Sequence, residues 1–190
     1  MSRYELLLFL HIAFSIVWLG SGFFLQLLGV RADRSADPVR IKTLLDDADW
    51  AATRLFIPSS LAVFVLGIVL TIDGPWSFGD LWIVIGLVGY AATFLTGMFG
   101  IKPQVQRIAA VIERDGGMSP AAAAEVRKLF LISRVDLVVL FTVVADMVLK
   151  PTGDDVGTLV VFALAIAGAA AYGVWRYRAQ AAGMPARETA

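Results

Sequence analysis

The sequence predicts an all-α fold, a polytopic membrane helical bundle of five transmembrane helices with the N-terminus outside and the C-terminus cytoplasmic. Three observations carry this. Five apolar stretches, Tyr4–Val30, Leu55–Asp73, Leu81–Ile101, Leu129–Leu149 and Val156–Trp175, interrupt the 190 residues. Each has about 19 residues or more, the length a helix needs to cross a hydrocarbon layer ~30 Å thick. Composition agrees: 58 % of residues are hydrophobic, 17 % are charged and the mean hydropathy is +0.77, against about 25 % charged in a soluble domain. Finally, Lys and Arg alternate between rich and poor loops, as the positive-inside bias requires.

The loop count fixes the expected orientation. Arg31, Arg34, Arg40, Lys42 and Arg54 lie in the first loop, Lys102, Arg107, Arg114, Arg127 and Lys128 in the third, and Arg176, Arg178 and Arg187 in the tail. Thirteen of the sixteen basic residues thus share one side, Arg3 and Lys150 take the other, and Arg134 lies within a span. Tyr4–Val30 is too long for the apolar core of a signal peptide and Glu5 spoils its basic leader, so it is read as a retained helix. The expected organisation is one bundle domain over 1–178, with cytoplasmic helical loops at 31–54 and 102–128 and a flexible cytoplasmic tail at 179–190.

Within the first loop, Asp37-Pro38 supplies a cap and a first-turn proline. Ile41, Leu44, Leu45 and Ala48 then recur on one face, predicting a short amphipathic helix that lies on the membrane or leads into the second span. In the third loop, Gly116-Gly117 makes a turn and Ser119-Pro120 restarts a helix, so spans three and four form a hairpin reaching past the bilayer. Trp76 and Trp82 mark one interface and Trp50, Trp175 and Tyr177 the other, whereas Trp18 falls in mid-span. Gly86, Gly89, Thr93, Gly97 and Gly100 in the third span, and Gly168 to Gly173 in the fifth, mark packing seams.

Cysteine is absent and the formal net charge is zero. The first excludes disulfides, thiolate metal sites and cysteine nucleophiles; the second leaves no electrostatic footprint for nucleic acid. The partner is the lipid bilayer, and a homo-oligomer is compatible with it. No phosphate loop, zinc-type histidine pair or nucleophile elbow occurs.

Chemistry must then come from the few polar groups at depth, which hydrocarbon forces inward and toward partners. His11, the only histidine, lies about 7 residues into the first span, hence ~10 Å deep at 1.5 Å per residue. Ser15, Trp18, Gly22 and Gln26 share its face. The fourth span carries Asp136 and Asp146, followed by Lys150. Matching depths predict the pairs His11–Asp146 and Arg54–Asp136, with Lys150 a further partner for Asp146. Ties that merely lock helices together are the simplest account of these charges. Imidazole is also an axial ligand of haem and a ligand of copper, and the Met147 thioether at similar depth suits Cu(I) or haem iron. Within one chain a single histidine leaves a His/Met site, a five-coordinate haem or a site shared across a dimer. His11, Trp18 and Met147 are therefore the candidate cofactor residues, with His11 and Met147 the candidate metal ligands.

Leu10-His11-Ile12 followed by Trp18-Leu19-Gly20 resembles the opening of CopD-like membrane proteins, a group taken to include the copper-resistance CopD proteins and HemJ-type protoporphyrinogen oxidases. Asp146-Met147-Val148-Leu149-Lys150-Pro151 resembles one uncharacterised branch, the predicted integral membrane proteins of domain-of-unknown-function family 2269. The resemblance implies a small bundle in a bacterial inner membrane with no established activity; the HemJ comparison would give His11 a role in haem or porphyrin handling. The chain departs from both patterns: it lacks further histidines, continues Leu19-Gly20-Ser21-Gly22-Phe23-Phe24 after Trp18, and has no Met-rich or His-rich copper-gathering segment. Three readings follow: a cofactor, metal or substrate site at His11 between the first and fourth spans; a small proton-coupled transporter using the intramembrane Asp and His residues; or a structural or accessory protein without a ligand.

Overall fold

The computed structural model describes residues 2–35 and 38–181, which are helical with no strand. The α-helices are α1 (Arg3–Ser35), α2 (Pro38–Ala51), α3 (Ile57–Asp73), α4 (Leu81–Leu95), α5 (Lys102–Asp115), α6 (Pro120–Leu149) and α7 (Val156–Ala181). Asp37 and residues 182–190 of the expected tail lie outside the described residues.

Two π-helical turns, Ala52–Phe56 and Thr96–Ile101, join α2 to α3 and α4 to α5. Each ends just before a proline in the next helix, Pro58 and Pro103. A proline inside a helix has no N–H and crowds the carbonyl four residues back. Those carbonyls belong to Arg54 and Phe99, inside the π turns. Widening the helix there relieves the clash without breaking the rod.

Among the described residues, four helical rods are long and apolar enough to cross a membrane: Arg3–Arg31, Val39–Asp73, Leu81–Asp115 and Val156–Ala179. With 30 residues, α6 has the length, but Arg134, Asp136 and Asp146 interrupt its apolar run. Its position explains how they are accommodated. It packs against α1, α4, α5 and α7, while α1 also holds α3 and α2. The most charged long helix is thus the most enclosed, as the cost of ionisable groups in hydrocarbon demands.

Small residues set the close approaches. A Cβ on Gly89 would strike Val143, one on Gly29 would strike the Phe130 ring, and one on Gly100 would come within 3.5 Å of Ile132. Gly173 joins α7 to Val135 of α6 in the same way, at 3.2 Å, whereas Gly97 and Gly168 have open space beside them. The expected seams hold at Gly86, Gly89, Gly100 and Gly173 and are not used at Gly97 or Gly168.

At one end of the bundle, α2, α5 and the start of α6 enclose a core of Ile41, Leu44, Leu45, Ile108, Val126, Leu129 and Phe130. Each such burial contributes about 1.5–3 kcal/mol. The apolar face of α2 is therefore spent inside the protein. Gly116, at φ 68°, takes the left-handed turn that a side chain would strain, and the Ser119 hydroxyl accepts from Ala122 N–H (3.1 Å) to start α6. The buried Gln104 amide donates to the Glu125 carbonyl (3.0 Å) and carboxylate, so the one polar group in this hairpin core is satisfied.

Candidate functional site

A cavity of about 440 Å³ lies between the α1–α3 pair and the α4–α6 pair. Its lining runs along α1 from Tyr4 to Leu19 and along α6 from Lys150 to Leu140. Fifteen residues of α1 correspond to a depth of about 22 Å. Aromatic rings prop the helices apart at its floor. Phe64 of α3 stacks on Tyr90 of α4 with centroids 4.9 Å apart, and Trp18 meets Tyr90 edge-on at 5.8 Å. Trp18, anomalous as an interfacial residue, is thus part of a ring cluster.

His11 projects into this space halfway down. Gly67 of α3 makes room for it: a Cβ there would stand 3.3 Å from the imidazole Cε1. The ring has the Val63 backbone within hydrogen-bonding reach, while Nδ1 is buried with no partner. Ser15, one turn below, spends its hydroxyl on the His11 carbonyl (2.7 Å). Across the cavity, the Met147 methyl occupies the place a Cβ on Gly86 would take. His11, Trp18 and Met147 therefore line one cavity.

The expected ionic pairs do not form among the described residues. Neither Asp146 oxygen has a hydrogen-bond partner, and its side chain is fully buried beside Gly86, outside the cavity lining. Asp136 Oδ1 is likewise without a partner, and Arg54 is exposed on its π turn. The reason is placement: a Cβ on Gly22 of α1 would lie 3.6 Å from both Phe56 and Leu137, and α1 packs against both the Arg54 turn and α6. Gln26, on the predicted His11 face, also has a buried Nε2 with no partner.

Lys150 goes to aromatic rings instead of to Asp146. Its Nζ lies 4.1 Å from the Trp76 ring centroid and 5.3 Å from that of Trp82, within the range of cation–π attraction. The Trp76 indole N–H donates to the Tyr4 hydroxyl (3.2 Å), tying this mouth to α1, and Arg3 pairs with Asp73 at 3.0 Å nearby. Lys150 is the one non-glycine among the described residues with positive φ, 47°. This left-handed cap usually falls to Gly or Asn, and strain of this kind costs about 1–3 kcal/mol. Just past the mouth, the Thr152 N–H and hydroxyl bond Asp155 at 2.8 and 2.9 Å and hold its carboxyl below the usual carboxylate range.

Sequence reasoning singled out His11, Trp18, Met147 and Lys150, and it assigned Trp76 and Trp82 to an interface. It missed Gly67, Phe64 and Tyr90 as lining residues. A glycine facing the only histidine was the one signal that could have found Gly67, and only once the α1–α3 pairing was known.

Fold and lining together define an integral membrane helical bundle with an apolar, aromatic-lined cavity at one end. The family of predicted integral membrane proteins known as domain-of-unknown-function family 2269 matches residues 5–151, and the chain belongs to it. The match ends after the cavity helices and before α7. No curated protein and no solved structure matches the chain.

Proposed function

We propose that this chain is a five-span protein of a bacterial inner membrane, N-terminus outside, that binds a small, mostly apolar molecule beside His11. One observation carries the reading: a cavity of ligand size, mostly apolar, with the His11 ring in its lining. Binding sites of this kind measure about 300–1,000 Å³, are mostly apolar and carry a few polar groups that orient the ligand. In the proposal α6 is the fourth span, added to the four apolar rods and shielded by its four neighbours, and the basic loops face the cytoplasm.

The finer forms are weighed on the lining. A metal ion held by protein alone does not fit: His11 and Met147 are two donors, and no three His, Cys, Asp or Glu side chains gather among the described residues. The transport reading draws on His11, Asp136, Asp146 and Lys150; the first and last line the cavity, and the two aspartates do not. Kinship with CopD-like or HemJ-type proteins rests on the first-span string alone, and fold analogy does not carry an activity.

The test is mass spectrometry of the organic extract of the purified chain. One species should be enriched over bulk lipid, and His11→Ala should deplete it about tenfold, the equivalent of one hydrogen bond to a buried group. Identical extracts would reject the site. Topology is tested separately: with no native cysteine, Ser77→Cys should react with an impermeant thiol reagent on intact cells and Ala109→Cys should not. Labelling of both from outside would break the five-span arrangement.

A further inference from the structure

We propose that the occupant of the cavity is a long-chain acidic amphiphile, its anionic head held by Lys150 at the mouth and its apolar body buried beneath. This deepens the His11-cavity reading and rests on it. Three observations point to it.

The mouth presents a cation that the protein does not neutralise. Lys150 makes no ion pair among the described residues, not even with the unpartnered Asp146 carboxylate one turn before it. Asp73 pairs with Arg3 (3.0 Å), Asp80 accepts from Ser77 N–H (2.9 Å) and Asp155 is held by Thr152. Tyr4, accepting the Trp76 N–H through its oxygen, keeps its own hydroxyl proton to donate. The mouth thus offers an ammonium and a hydroxyl donor, the chemistry of an anion acceptor.

The cation is also fixed in place. Lys150 N–H bonds the Asp146 carbonyl at 2.8 Å, and the following Pro151 is fully buried. With the backbone locked at positive φ and the ammonium seated over two indoles, little freedom remains to be lost on binding an anion. An ordinary interfacial lysine, by contrast, reaches for water on a mobile stem.

The space below suits a chain, and the chain can arrive sideways. Lining residues Ile12, Ile16 and Val148 are themselves exposed, and in the proposal this apolar rim is the side that meets lipid. A molecule dissolved in the bilayer can enter there with its head already at the level of the interface. The depth along α1, about 22 Å by helix rise, then accepts the body, which passes the His11 ring in the lining.

The test uses the full chain in phosphatidylcholine nanodiscs, whose lipid phosphates are present in every arm. Dibromostearate and its methyl ester are the probes, and quenching of tryptophan fluorescence is the readout, since Trp18, Trp76 and Trp82 all line the cavity. The acid should quench saturably and bind about tenfold more tightly than the ester, as expected for a charge-assisted contact. Lys150→Gln should lower the acid to the ester's affinity without changing ester binding, which also shows that the variant is folded. Lys150→Arg should keep the preference for the acid.

Equal binding of acid and ester, unaffected by Lys150→Gln, would overturn the head assignment and leave the cavity reading standing. Should Lys150→Gln fail to fold, equal affinities of the wild-type chain for the two probes would overturn it alone. Absence of saturable quenching by either probe would overturn the amphiphile, and unchanged extracts from His11→Ala would separately remove the cavity reading.

Discussion

The two ends of this bundle are built from the same long helices, yet one is packed shut and the other is held open. At the α2–α5 end, Ile108 and Ala122 expose none of their surface and Val126 about 1 %. At the Trp76–Lys150 end the four surrounding helices leave about 440 Å³ between them. At the closed end Ile41, Leu44 and Leu45 pack against the hairpin of α5 and α6. In the five-span proposal the open end faces lipid. Lipid tails are as apolar as leucine, so no strong force would collapse a gap there, and stacked rings at Phe64 and Tyr90 keep it propped.

Breaking the closed end should have the largest effect. Ile108→Ala removes a wholly enclosed side chain and is expected to cost about 2–5 kcal/mol, read as a lower unfolding midpoint in detergent by circular dichroism. A loss below about 1 kcal/mol would mean that this core is not the anchor of the fold.

Next comes Gly29→Ala, whose methyl would drive into the Phe130 ring. Overpacking of that kind costs about 1–3 kcal/mol, and the same melting measurement checks it. Gly86→Ala at the open end provides the contrast. Its methyl clashes only with the flexible tip of Met147, which has the cavity to move into, and stands at an ordinary 3.7 Å from the Asp146 carboxylate. Stability should change by less than about 1 kcal/mol, while binding of the extracted species falls. Equal destabilisation by the two alanines would erase the difference between the ends.

The smallest effect belongs to the loop before α7. Hydrogen bonds from Thr152 hold the Asp155 carboxyl below its ordinary value of 3.8. Its contribution is therefore complete above that value and is lost as the pH falls through the lower, folded one. The protection factor of the Thr152 amide, its slowing relative to an unstructured amide at the same pH, should hold near neutrality and fall only in strong acid.

How much of this was readable from the chain differs between helices and neighbours. Apolar runs and glycine-proline punctuation located the long helices, and the spacing of Ile41, Leu44 and Leu45 identified a buried face. Period alone placed His11, Ser15 and Trp18 on one side of α1. It could not say that α3 would meet them with Gly67, or that α1 would pack against both the Arg54 turn and α6, because a helical repeat orders residues around one axis and carries nothing about which axis lies next. The expected charge pairs were inferred from depth alone, and depth does not fix azimuth. Lys150 was read by its sequence distance from Asp146, whereas the left-handed cap before Pro151 turns it to Trp76 and Trp82.

Paired single cysteines offer the most direct test of an open end beside a closed interior. Ser15 lines the cavity, whereas Thr142, one turn from Asp146 on α6, is buried and does not. In membranes treated with N-ethylmaleimide, Ser15→Cys should be modified while Thr142→Cys stays unreacted, and dibromostearate should slow the first reaction. Modification of both at one rate, or of Thr142→Cys alone, would contradict the account.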